Sequence, residues 1–130
     1  MRQHSSRLAL ILVAAAAIMG CQALGYEKPK TLEQRIGYAD ATLTGVNNAA
    51  TQQLEAHTIS STDAEAVAKV TTSADKALRG AEAALAAGDT ATAEGKLAAA
   101  VAVLTQLDAW LAKPADQRAE LPAPLPESSP

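Results

Sequence analysis

Three stretches of the chain place apolar or small residues at helical spacing. In the first they are Leu32, Ile36, Ala39, Leu43, Val46, Ala50 and Leu54, each three or four positions after the last. That spacing puts them on one face of a helix. Thr31 and Gln34 stand at capping-box spacing and predict its start, and the pattern fades near Ala56 or His57. Gly45, followed by Asn47 and Asn48, reads as a close-packing site or slight bend, because the stripe runs through it. Ser60 is the next N-cap signal, with Asp63 in the first turn, where the helix dipole favours an acid. The second stripe is Val67, Val70, Ala74, Leu78, Ala81 and Leu85, and Gly88 is its stop. Asp89 or Thr90 caps a third segment with a broader apolar face: Leu97, Val101, Leu104 and Leu111, flanked by Val103, Leu107 and Trp110. Lys96 is expected on its solvent side, and Pro114 ends it. Connections this short between helices imply antiparallel neighbours. The fold class predicted is all-α: an up-down-up three-helix bundle over residues 31–113. Residues 114–130 contain "LPAPLPESSP" and read as a proline-rich, extended and disordered tail.

The residues before Thr31 carry a different pattern. "MRQHSSR" has two arginines and no acid, and Leu8 to Met19 is an uncharged apolar run. A spanning helix needs ~20 apolar residues, and this run is shorter. A basic start, a short apolar core and a small residue are the marks of a secretory signal, here residues 1–20. Ile18, Met19, Gly20 and Cys21 follow in that order. This order resembles the bacterial lipobox. The resemblance implies cleavage between Gly20 and Cys21, diacylglyceryl transfer to the Cys21 thiol and acylation of its amine. Cys21 is the only cysteine of the chain. Exported alone, it has no disulfide partner within the molecule, and lipidation removes a reactive thiol. One acyl chain binds a membrane only marginally, whereas two or three hold firmly. Gln22 stands where enteric lipoproteins retained at the inner membrane have aspartate, so the same resemblance points to the periplasmic face of the outer membrane. Residues 21–30, with Gly25 and Pro29, read as a lipidated tether.

Composition narrows the function classes. Removing residues 1–20 takes away Arg2 and Arg7 and leaves nine basic against fourteen acidic side chains, a net charge of −5. No basic stripe for nucleic acid is present. Alanine makes up about a quarter of the chain, with no Phe, one Trp and two Tyr. Such a composition favours helix and gives a thin core. "AEAALAAGDTATAEGKLAAAVAVL" has one partial likeness to a tetratricopeptide turn, but that architecture needs about three copies.

Candidate chemistry is sparse. His57, the one histidine after the signal, has no accompanying ligand motif and reads as a helix-end residue. Glu65 with Lys69, and Asp75 with Arg79, have the spacing of surface ion pairs. No nucleophile motif, phosphate loop or dinucleotide fingerprint occurs. The reading is therefore no catalytic residue, no metal ligand and no cofactor.

"TLEQRIGYADATLTGV", "ISSTDAEAVAKVTTSADKALRGAEAAL" and "AEGKLAAAVAVLTQLDAWLAK" together resemble the small lipoproteins of phages and prophages of Gram-negative bacteria, over roughly residues 8–113. What the resemblance carries is the lipidated cysteine, at Cys21. Three classes of function stay open. The first is a lipid-anchored structural or interaction module with an envelope protein as partner and the membrane reached through Cys21. The second is a phage-derived lysis or superinfection-exclusion lipoprotein. The third is a small-molecule carrier or enzyme.

Overall fold

The computed structural model describes residues 31–127. The expected signal, cleavage site and tether (residues 1–30, with Gly20 and Cys21) lie outside the described residues. Among the described residues three helices make up the fold: α1 (Leu32–Glu55), α2 (Ser61–Ala86) and α3 (Thr90–Ala112), followed by a short 3₁₀ turn at Ala115–Gln117. No strand occurs among the described residues.

The helix starts follow from local chemistry. At α1 the Thr31 hydroxyl accepts the Gln34 N–H at 3.1 Å, and the Gln34 side chain accepts the Thr31 N–H at 3.4 Å. The Ser60 hydroxyl accepts the Asp63 N–H at 3.0 Å, and an Asp89 carboxylate oxygen accepts the Thr92 N–H at 3.1 Å. Each bond satisfies a backbone donor that the first helical turn leaves without a partner. The bonds from Thr92 hold the Asp89 carboxyl below the usual carboxylate range.

The two interhelical turns share one hydrogen-bond pattern. The N–H of Thr58 donates to the Gln53 carbonyl and that of His57 to the Leu54 carbonyl. After α2, Asp89 donates to Ala84 and Gly88 to Leu85 in the same arrangement. This is the Schellman closure, which needs a left-handed residue just past the helix. Gly88 takes that position at φ 78° without a Cβ penalty, and His57 takes it at φ 58° with one. His57 is thus a helix-terminating residue.

Contacts between helices fix their directions. Arg79, late in α2, reaches Asp40, early in α1, so these helices are antiparallel. Lys96, early in α3, lies over Gly80, late in α2, with the same consequence. Gln53 and Leu111, near the ends of α1 and α3, are joined by a hydrogen bond, so those two run parallel. The result is the up-down-up bundle. Its centre is leucine-rich: Leu78, Leu97, Leu104 and Leu107 are at most 1% exposed. Fully buried alanines at 74, 81, 93 and 100 let the helices approach closely around them.

Several expectations need correction. Leu54 is exposed, and Gln53 faces inward instead, because its side chain is recruited to the Leu111 carbonyl. Val101 is also exposed; the inner face of α3 passes through Ala100, Val103 and Leu104. Ile59, not placed in any stripe, is buried just before the α2 N-cap, with partly buried Ala64 at the matching position inside the helix. Gly45 interrupts nothing and has no neighbour within 4 Å of a Cβ added there, so it is not a close-packing site. Asp75 and Arg79 pair at 3.4 Å as their spacing predicts. Glu65 and Lys69 form no such pair.

The tail expectation changes most. Through Glu127 the chain after Lys113 lies against the bundle, with Leu121 and Leu125 packed on the core. The prolines exclude helix there, but they do not exclude docking.

Candidate functional site

The site begins where α3 stops. Pro114 cannot extend the helix, and the 3₁₀ turn closes with Gln117 N–H donating to the Pro114 carbonyl at 2.9 Å. This turn brings Arg118 back beneath two helix C-termini. Its guanidinium donates to the Gln53 side-chain oxygen at 2.6 Å and to the backbone carbonyls of Thr58 at 2.9 Å, Trp110 at 3.2 Å and Leu111 at 3.3 Å. It also stacks on the Trp110 ring, 4.7 Å from the centroid. Neither α1 nor α3 has a basic residue in its last turn. Two parallel helices therefore end side by side with partial negative charge and carbonyls lacking helical partners. Arg118 answers both needs from outside the helices, and its planar fork suits several acceptors at once. Trp110 completes the junction by donating its indole N–H to the Ala119 carbonyl at 2.8 Å.

From this junction residues 119–127 run as a strap along α2. The Leu125 N–H donates to the Ser73 hydroxyl at 2.9 Å, and that hydroxyl donates to the Val70 carbonyl at 2.7 Å. Beyond it, Lys76 and Glu127 pair at 2.6 Å. The hydrogen bond and charge of Lys76 hold the Glu127 carboxyl below the usual range.

Beside the strap lies an open groove of about 900 Å³ between α2 and α3. Its floor is made of small residues, including Ala68, Thr72, Gly95 and Ala99, and Pro124–Glu127 form one wall. Four lysines occur among the described residues, and three of them, Lys69, Lys76 and Lys96, line this groove. Lys96 is therefore not the plain solvent-face residue expected: it is half-buried, its stem crosses Gly80, and a Cβ on that glycine would come within 2.9 Å of it. No family model, curated protein or solved structure matches the chain. The assignment of the site rests on its own geometry.

A second, shallower cleft collects His57, Ser60, Asp63 and Arg118. The Ser60 hydroxyl is engaged in the α2 cap, and no hydrogen bond joins His57 to Ser60 or Asp63, so the nucleophile–base–orienter arrangement is absent from this cleft. No group of three or more potential metal ligands occurs among the described residues, and no helix there is long and apolar enough to cross a membrane.

Arg118 and the strap were not legible as site residues. The arginine contacts residues up to 65 positions away, and no local pattern marks such a partnership. Lys69 and Lys96 were legible only as separate helix-surface charges, and Lys76 carried no signal; the packing of α2 on α3 brings the three together.

Proposed function

We propose that the chain is a bacterial lipoprotein, anchored through acylated Cys21 at the periplasmic face of the outer membrane, whose bundle serves as a protein-interaction module. The carrying observation is the order Ile18, Met19, Gly20, Cys21 behind a basic start and a short apolar run. Gln22 supports outer-membrane placement, and the likeness to phage and prophage lipoproteins supports the class. A groove lined by cations and small side chains supports binding as the task of the bundle. Expressed in a Gram-negative host, the full chain should incorporate labelled palmitate and sediment with outer membranes. Cys21→Ser should abolish both. Labelling of the mutant, or an unlabelled soluble wild type, refutes the anchor.

A further inference from the structure

We propose that the α2–α3 groove is a binding site for extended, proline-containing peptide strands with a carboxylate near their C-terminal end, and that Pro124–Glu127, the end of the strap, occupy one side of it in cis. The proposal rests on the reading of the bundle as an interaction module and names what the module binds.

Charge is the first argument. Residues 31–127 hold thirteen acidic and seven basic side chains, yet three of the four lysines converge on this one groove. Lys69 and Lys76 are seven positions apart on α2 and so share a face. Lys69 makes no ion pair or hydrogen bond among the described residues, while Lys76 already holds a carboxylate. The groove therefore combines one cation already paired with a carboxylate and a second cation free to make another such contact.

Shape is the second. The small residues of the floor admit a backbone close to the helices, and Ser73 offers its hydroxyl to a strand N–H. The strap shows the mode in use. Pro122, Pro124 and Pro126 alternate with Ala123 and Leu125. Proline presets an extended backbone and removes N–H groups that would otherwise need partners. Less conformational entropy is then lost on docking. The one N–H between Pro124 and Pro126, that of Leu125, is satisfied by Ser73.

Incomplete filling is the third. The strap occupies one side of the groove, and about 900 Å³ stays open against it. A longer or better-fitting strand can displace the resident one. Tethering gives the strap an effective concentration of order mM, so a free peptide competes poorly until the strap is dislodged.

The test uses the full chain in mild detergent and a fluorescent peptide, AELPAPLPESSP, copied from residues 119–130. In the double variant Leu121→Asp, Leu125→Asp the strap is released, and the peptide should bind at least tenfold more tightly than to the unaltered chain. Adding Lys69→Glu and Lys76→Glu should remove that gain. A helical released variant that binds no better than the unaltered chain overturns the proposal, as does binding indifferent to the lysine changes. Should the released variant lose its helical signal, the peptide with a photoreactive leucine at the second leucine is irradiated with the unaltered chain at millimolar concentration. Cross-links within residues 68–77 or 95–99 support the site; cross-links elsewhere, or none, overturn it. Palmitate labelling in the same preparations reads the anchor separately, so failure of the groove and failure of the lipoprotein reading give different results.

Discussion

Leucines hold both the bundle and the strap, but in different ways. Leu78, Leu97, Leu104 and Leu107 project from regular helices into a centre closed on every side. Leu121 and Leu125 sit half-buried on its outside, in a segment with no regular hydrogen-bond ladder. In the bundle, local backbone bonds are satisfied within each helix, and burial adds stability to elements already specified. In the strap, side chains supply what the backbone cannot: Arg118 at one end, Ser73 in the middle, Lys76 at the other. The bundle should therefore resist loss of the strap, and the strap should not survive loss of its fasteners.

The largest effect tests the bundle. Leu104→Ala removes a side chain that is 1% exposed from the leucine-rich centre of the bundle. A loss of about 2–5 kcal/mol is expected, a large part of the ~5–15 kcal/mol typical of a domain. Thermal denaturation of the full chain followed by circular dichroism should show a sharply lower Tm. A shift no larger than that of an exposed-site change would contradict the assignment of the central layer.

An intermediate effect tests the junction. Arg118→Ala abandons the Gln53 side chain and carbonyls of both helix ends, and truncating a charged hydrogen-bonding partner costs on the order of 2 kcal/mol. Trp110 is the only tryptophan, and Arg118 covers its ring. Its emission should shift to longer wavelength in the variant, while helical content stays near that of the unaltered chain. An unchanged emission spectrum would mean that the strap root holds without Arg118.

These two regions differ as much in legibility as in strength. Thr31, Ser60, Asp89 and Gly88 announced the helix ends because caps and stops act within a few residues. The stripes announced the inner faces for the same reason. They failed at Leu54 and Val101, where the residue one position earlier, about 100° round the helix, took the inward place. At the end of α1 the choice went to Gln53, whose hydrogen bond to Leu111 crosses 58 positions and leaves no local trace. The strap escaped altogether. A proline-rich segment has the same composition whether it is free or docked, and only the folded surface of α2 distinguishes the two. The lipidation reading at Cys21 rests on a local motif in residues that the structure does not describe.

The smallest effect concerns the far end of the strap. Lys76 lowers the proton affinity of Glu127 in the folded chain. Such a depressed carboxyl contributes fully above its ordinary range and loses that contribution as pH falls through its folded value. Both partners are well exposed, at 62% and 81%, so the contribution is small and screened by salt. Protection of the Leu125 amide from hydrogen exchange, corrected for intrinsic rate, should fall on acidification while the centre of α3 stays protected. Glu127→Gln should flatten that response. A Leu125 profile identical in the two chains would detach the ion pair from strap docking.

The short Schellman turns at His57 and Gly88 also bear on how the molecule reaches its shape. They join neighbouring helices within a few residues, so the packing of α1 on α2 and of α2 on α3 can grow outward from each turn. Chains of such low contact order fold in microseconds to milliseconds. The strap closes loops of a different scale: Leu125 meets Ser73 across 52 positions, and Arg118 meets Gln53 across 65. Its fasteners lie on α2 and, through Arg118, at the joined ends of α1 and α3, so its docking is complete only when all three helices have packed. During synthesis those helices leave the ribosome first. The strap therefore acts as the last step of assembly on a finished bundle.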